Sequence, residues 1–531
     1  MPDFLPDLST LSPFFLVAGG FALIMLVWDT VEVGRNDAAN LVNAVFGARL
    51  MTRRNAVWLA GLAVVIGASL SSDVVETARK GIFTPAEVSV PGMSQGAALI
   101  TIYISVYLVD TVMLYGFSAF GMPVSTTASL VFELLGAASA IGGLSVINWD
   151  KSGKIIAAII FSIVLTGFAS FLLQRAVRAA IRDKEQSLPT MLLHGGWVGG
   201  GMAAGLCYFL IFKGMQKIPA IAALRQTIDD SIGQVAVIIL LWGVFAILIH
   251  AMLIIFGKKA ARALFPTLAV LGMIAMAFAF GQNDLANCAS PGLAVFYILQ
   301  HHEEGVAAAT QVPIHWGLLF GCGLLLVVGM TTKNAQRVTR AAASTGSMGD
   351  HVELWAPRWC LRSASRLLRF RTRVPSLAPR LPLTRAGKTR HFDALRASVI
   401  MSVSASVIAS ASAYGLPVST TYVTFAAVIA TGIADRIFQR GDAELKLARS
   451  IWVIFSWFAG ALLAAVMTAV VAFAIRTAEG FSLGSLAIFI IVAGNLTLRR
   501  FIKKRADALE RRVEDEARER MDPDRYALEE A

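Results

Sequence analysis

Charge is scarce in this chain. Asp, Glu, Lys and Arg make up 15% of 531 residues, while 56% are hydrophobic. Soluble domains carry about 25% charged residues, so an ordinary soluble protein is excluded. Cysteine is sparse too: Cys207, Cys288, Cys322 and Cys360 lie far apart and show no spacing suited to a disulfide framework or a metal site, so they read as packing residues. The region before the first apolar run lacks a basic stretch and carries Asp3 and Asp7 instead, which argues against a cleaved signal peptide.

Long apolar runs are plentiful. Eleven of them occur between residues 12–28 and residues 483–498, most of them matching a hydrocarbon core about 30 Å thick. The expected fold is an all-α polytopic membrane protein. The formal charge of +12 invites a nucleic-acid reading, but residues 333–396 alone hold fourteen basic against three acidic residues. Positive charge gathered beside membrane spans marks a cytoplasmic loop rather than a nucleic-acid surface.

Two motifs occur twice, in the same order. GRNDAAN at residues 34–40 returns as GQNDLAN at 281–287, and PVSTT at 123–127 returns unchanged at 417–421. The extra length of the second half lies between its motifs, where the basic loop can supply it. The chain divides into a first repeat unit (1–174), connecting spans (175–264), the first part of repeat 2 (265–330), a basic loop with an amphipathic helix (331–396), the second part of repeat 2 (397–498) and a charged tail (499–531). Arg49, Arg53 and Arg54 place the loop after the first asparagine motif inside, whereas its counterpart, HHEEG at 301–305, has no Lys or Arg and reads as outside. The halves are therefore expected to be inverted, with broken helices and re-entrant hairpins around a site at their interface. The stretches holding the asparagine motifs exceed one straight span, and a helix break at each motif is expected.

Each PVSTT copy follows a glycine (Gly121, Gly415) and opens with a proline suited to the first turn of a helix. A helix starting inside the membrane offers free amides and the hydroxyls of Ser125, Thr126 and Thr127, or Ser419, Thr420 and Thr421, to an oxyanion. One such start alone reads as well as a simple cap; a pair in opposed halves favours the anion. Asp37 and Asp284 sit in apolar stretches, where an unpaired carboxylate costs about 2.5–3.5 kcal/mol. With Asn36, Asn40, Asn283 and Asn287 they present hard oxygens suited to a small cation. Asp29, Glu32 and Arg35 align with Met276, Ala279 and Gln282, so the site is asymmetric. Arg35 either neutralises its acidic neighbours or helps bind an anion. Asp110 and Glu133 also lie in apolar stretches and are candidate proton carriers. Residues 355–370 place Arg358, Arg362, Arg366 and Arg369 on one helical face, as in an interfacial helix. Beyond them Pro375, Pro379 and Pro382 imply irregular chain, and Asp522-Pro523 ends the helical pattern of the tail.

The paired asparagine motifs and paired PVSTT segments resemble the inorganic phosphate transporter (PiT) family, as does VETARKGI at residues 75–82. The resemblance implies symport of phosphate with sodium or protons, an anion held between two hairpins, and cations near the Asn-Asp motifs. It implies that Ser125, Thr126, Ser419 and Thr420 contact phosphate and that Asn36, Asp37, Asn283 and Asp284 hold or organise the cation. The chain departs from the family pattern at Ala128 and Tyr422, where many members have histidine, at Ala63, where sodium-coupled members carry glutamate, and at Arg35. These departures favour protons over sodium. Sulfate transport on the same scaffold and a non-transporting phosphate sensor are the alternatives. An intramembrane serine hydrolase would need His194, His250 or His315 to approach a serine from afar. The expected protein is thus not an enzyme and needs no cofactor beyond a coupling sodium ion. Its expected partners are phosphate, protons or sodium, and lipids including anionic inner-leaflet lipids, with a homodimer also anticipated. Its expected location is the inner membrane of a bacterium, with the basic loop and tail cytoplasmic.

Overall fold

The computed structural model describes residues 12–521 except 72–73, 76–80, 183, 217, 301–314 and 370–389. Most of VETARKGI, the HHEEG segment, Pro375, Pro379, Pro382 and Asp522-Pro523 lie outside the described residues. The helices are, in order, α1 Pro13–Gly47, α2 Arg53–Ala68, α3 Gln95–Ala119, α4 Thr126–Gly142, α5 Trp149–Ile181, α6 Leu188–Cys207, α7 Pro219–Ser231, α8 Gly233–Phe256, α9 Lys258–Gln300, α10 Trp316–Met330, α11 Lys333–Thr345, α12 Arg358–Leu368, α13 Ala394–Ala413, α14 Thr420–Ala434, α15 Ala443–Glu479 and α16 Gly484–Met521. Among the described residues, nine helical segments are long and apolar enough to cross a membrane, or ten if α10 and α11, bent by 70° at their junction, count as one. The all-α membrane fold expected from the sequence is therefore the observed one.

The expected break at the asparagine motifs is not there. α1 runs unbroken for 35 residues and α9 for 43, so α1 is roughly 50 Å long at 1.5 Å per residue and exceeds the bilayer core without interruption. The motif glycines serve close packing instead. A Cβ on Gly34 would meet the Leu326 carbonyl oxygen of α10 at 2.0 Å, and one on Gly281 would meet the Val64 carbonyl oxygen of α2 at 2.2 Å. Each motif helix thus lies backbone to backbone against the second helix of the other half. The breaks occur elsewhere: at the α10–α11 bend, and in a π-helical turn, Tyr208–Gly214, that extends α6. In α9, the Tyr107 hydroxyl is wedged in the turn holding Pro291, donating to the Cys288 carbonyl (2.6 Å) and accepting from Gly292 N–H (2.6 Å).

Two hairpins carry PVSTT. In the first, α3 is followed by a turn at Gly121 (φ 63°) and extended residues lead to Ser125 and α4; in the second, α13 is followed by a turn at Gly415 (φ 64°) and the same course leads to Ser419 and α14. Positive φ at the turn is the reason for glycine at both places. The base of the first hairpin is tied to a connecting segment, with Thr84 N–H donating to the Val146 carbonyl and Gln95 Nε2 to the Pro85 carbonyl. The base of the second is clamped by Arg178 of α5, which bonds Asp393 and, at 3.0 Å, Asp435. Gly47 at the end of α1 accepts from His391 N–H at 2.8 Å, beside this second base.

The described part of the basic loop is more deeply built in than a surface loop. α11 buries Ala335, Val338, Thr339 and Ala342, with Ala39 of α1 packed against Val338 and Ala342. α12 exposes Arg358, Arg362, Arg366 and Arg369, buries Cys360 and Ala364 against Ala448, and sets Trp359 against Trp452 and Phe455 of α15.

Gly34→Ala and Gly281→Ala are each expected to lower stability by about 1–3 kcal/mol, because neither facing carbonyl can move away; thermal melts in detergent check this, with Gly20→Ala, which meets nothing within 4 Å, as control. Burial lowers the His391 imidazole from its ordinary 6.5 to about 4, so between those values the unfolded chain binds more protons and stability falls as pH drops. Melts from pH 7 to pH 4 are expected to show a steeper loss for the wild type than for His391→Gln.

Candidate functional site

The four motifs meet in one buried cluster. Asn36, Asp37, Asn40, Asn283, Asp284, Asn287, Ser125, Thr126, Thr127, Ser419, Thr420 and Thr421 are each at most 3% exposed. The first asparagine of each motif holds the hairpin of its own half. Asn36 Nδ2 donates to Ser118 Oγ (3.1 Å) and the Met122 carbonyl (3.2 Å), while its Oδ1 accepts from Val124 N–H (3.1 Å). Asn283 repeats this with Ser412 Oγ (3.2 Å), the Leu416 carbonyl (3.1 Å) and Val418 N–H (3.2 Å). An extended link inside a membrane protein leaves backbone groups that need partners. One asparagine side chain supplies a donor and an acceptor to each link.

The aspartates do the reverse and reach across. Thr421 Oγ1 lies 3.0 Å from Asp37 Oδ1 and 2.9 Å from the Val124 carbonyl, and it accepts from Asn40 Nδ2 at 2.8 Å. In mirror fashion Thr127 Oγ1 lies 3.4 Å from Asp284 Oδ1 and 3.1 Å from the Val418 carbonyl, and it accepts from Asn287 Nδ2 at 2.9 Å. Thr126 Oγ1 stands between the two carboxylates, 3.0 Å from Asp37 Oδ2 and 3.4 Å from Asp284 Oδ1. Asp284 Oδ2, Asn287 Oδ1 and Thr420 Oγ1 are buried and make no well-formed hydrogen bond, with Thr420 standing beside the Asp284 carboxyl. Thr126, Thr127 and Thr421 therefore face the carboxylates, although the sequence groups them with the serines.

The serines cap their helices. Ser125 Oγ accepts from Ala128 N–H at 3.0 Å and Ser419 Oγ from Tyr422 N–H at 3.1 Å. A cap uses the oxygen as acceptor and leaves the hydroxyl proton free to donate, so capping and anion binding are compatible at the same atom. Tyr422 stacks on Trp457, with ring centroids 4.0 Å apart, and its hydroxyl faces Ser125. Trp457 Nε1 donates to the Pro123 carbonyl at 3.2 Å.

The charges peculiar to the first half separate into two groups. Glu32 pairs with Arg35 (2.6 Å) and with Arg499 of α16 (2.5 Å), and Arg35 also donates to Thr332 Oγ1. Arg499 rests on the faces of Trp28 and Tyr115. Asp29 takes no part in this network and faces Asp110 instead. Of the residues missed from sequence, Ser118 and Ser412 had a signal, since both stand seven positions before the PVSTT serine. Arg499 and Trp457 had none.

A polytopic helical membrane protein with two hairpin tips interlocked around buried carboxylates is the class that this fold and site define. A model of the PHO4 phosphate transporter family matches residues 33–345, and the chain belongs to that family. It is a transporter rather than an enzyme. It is 26% identical over 450 residues, covering 83% of this chain and 93% of the relative, to a Pyrococcus horikoshii protein whose given name is "Putative phosphate permease PH0640". A Haemophilus influenzae permease of the same description is 25% identical over 469 residues, covering 85% of this chain and 97% of its own. Among solved structures, one titled "The sodium-dependent phosphate transporter" superposes with a TM-score of 0.63 over 88% of this chain and 100% of that chain, at 20% identity.

Asn36→Ala strands Val124 N–H and the Met122 carbonyl, at about 1–3 kcal/mol for each buried group. Hydrogen exchange is expected to quicken in residues 120–126 alone for Asn36→Ala and in 414–420 alone for Asn283→Ala. Thr127→Val, which cuts a cross-link between halves, is expected to quicken both.

Proposed function

We propose that this protein is a symporter that moves inorganic phosphate across the membrane together with protons or sodium. The observation that carries this reading is the crossed bonding of Asp37 to Thr421 and of Asp284 to Thr127. Occupancy of a cation between the carboxylates would be felt at both hairpin starts, where an anion would bind. The anion is held by the hydroxyl protons of Ser125 and Ser419 and by first-turn amides with their partial positive charge. The cation sits among Asp37, Asp284, Asn40 and Asn287, where Asp284 Oδ2 and Asn287 Oδ1 have coordination to spare. A sodium-dependent phosphate transporter of the same fold and the family's permease names support this substrate.

The hairpins are proposed to be inverted relative to one another. The second base adjoins Gly47 and Asp435, while the first tip is held by Arg449, whose Nη2 donates to the Gly121 carbonyl at 2.8 Å. The face with Gly47, Arg53 and α11 is proposed to be cytoplasmic, together with the end of α16, which Arg337 holds through Asp507 and Glu510. Alternating access then arises by rocking of the halves about the interlocked tips.

Labelled phosphate uptake into proteoliposomes tests this. A hydrogen bond to a charged group contributes about 1.5–3 kcal/mol, so Ser125→Ala and Ser419→Ala are each expected to weaken half-saturation by about tenfold or more. Excess sulfate is expected to compete poorly. Wild-type uptake in both variants, or uptake that no imposed proton or sodium gradient alters, would contradict the proposal.

A further inference from the structure

Asp29, Asp110 and Glu133 come from α1, α3 and α4 and are at most 2% exposed. They gather around one hydroxyl, with Ser129 Oγ 3.0 Å from Asp110 Oδ1 and 2.8 Å from Glu133 Oε1, and Asp110 also faces Asp29. A hydroxyl has a single proton to donate, so it serves one of its two carboxyl partners, and the other contact is a hydrogen bond only if that carboxyl carries a proton. Asp29 Oδ1 and Glu133 Oε2 are buried and receive no N–H or hydroxyl hydrogen, and Asp110 stands beside both acids. None of the surrounding groups pairs with the three acids. Glu32 of α1 is paired with Arg35 and Arg499, Asp37 is bonded by Asn40, Thr126 and Thr421, Tyr107 of α3 is committed to α9, and Cys288 Sγ of α9 donates to the Leu285 carbonyl. The Glu32–Arg35–Arg499 network keeps one positive charge in excess, yet among the described residues no ion pair reaches Asp29, Asp110 or Glu133. Among those residues, no group of three His, Cys, Asp or Glu side chains has a metal-holding arrangement.

Two further observations join this triad to transport. Ser129 on α4 and Ser125, the residue that caps it four positions earlier, line the same narrow cleft with Phe117, Trp457 and Gly460. The second half has Met276, Ser404 and Ala427 at the positions corresponding to Asp29, Asp110 and Glu133, so the feature belongs to hairpin 1 alone. We infer that Asp29, Asp110 and Glu133, arranged around Ser129, form a proton-binding site that couples proton movement to phosphate movement at hairpin 1. This rests on the reading that the protein moves phosphate. One proton enters the triad and one leaves it in each cycle, and unpaired carboxylates in a membrane interior are costly enough to tie the conformational change to that exchange.

The test uses the full chain in proteoliposomes and separates exchange from accumulation. Wild type is expected to exchange labelled phosphate without a gradient, to accumulate it when only a pH gradient is imposed, and to show the infrared carbonyl band of a protonated buried carboxyl. Asp110→Asn and Glu133→Gln are expected to retain exchange and to lose gradient-driven accumulation by about tenfold or more, within the range of ordinary coupling energies. The protonated-carboxyl band is expected to diminish with them. Ser129→Ala, which keeps all three acids, is expected to fold and to shift the pH profile of accumulation. Wild type that exchanges phosphate but neither accumulates it with the pH gradient nor shows the band would overturn the inference, as would variants that accumulate like wild type. Wild type that fails to exchange phosphate at all would instead overturn the phosphate reading.

Discussion

The crossed hydrogen bonds between aspartate and threonine are the constraint on which the rest of the site depends. Asp37 belongs to the first half and is bonded by Thr421 of the second, and Asp284 is served by Thr127 of the first. Deep in an apolar protein such carboxylates persist only with partners, and here the asparagine of the same motif and, for Asp37, Thr126 are joined by a threonine of the opposite hairpin. Neither hairpin tip can be placed without the other half. The two tips are in direct contact as well, each threonine also reaching a carbonyl of the facing link.

A division of labour follows within each motif. The first asparagine fixes its own hairpin link, the aspartate and second asparagine reach across, and the glycine permits the approach of a helix from the other half. Four neighbouring residues thereby perform three different tasks, and the duplicated tasks differ mainly in surroundings. The first half adds Asp29, Glu32 and Arg35. The second adds Tyr422, where the first has Ala128, and stacks it on Trp457. The two halves share a framework of hydrogen bonds and differ in what they place beside the serines.

Much of this was legible in the residues. Length and spacing of the apolar runs point to the membrane fold, and recurrence of two short strings singles out residues that the fold brings into contact. The expected helix break was wrong for a physical reason: run length was weighed against bilayer thickness, yet a helix can exceed the bilayer core without interruption, and a glycine can serve packing rather than bending. The grouping of the threonines with the serines was also too simple, because adjacent positions in the first turn of a helix point in different directions. Arg499 could not be found at all, since 467 positions separate it from Glu32 and no local pattern links them. The positive charge of residues 333–396 pointed to a loop, but the small side chains of α11 on one face allow it to dock on α1.

The glycine-mediated fit of Gly34 against Leu326 and Gly281 against Val64 bears on biogenesis. During translation α1 emerges long before α10 exists, and at 5–20 residues per second the wait is roughly 15–60 s. Throughout it, the Gly34 face has only lipid, water or the insertion machinery as company, and the Asp37 carboxylate, served by Asn40 and then by Thr126, still lacks Thr421. The nascent first half is therefore a client that must be sheltered until its distant complement is threaded in, and newly made chains are most vulnerable to quality-control proteases in that interval.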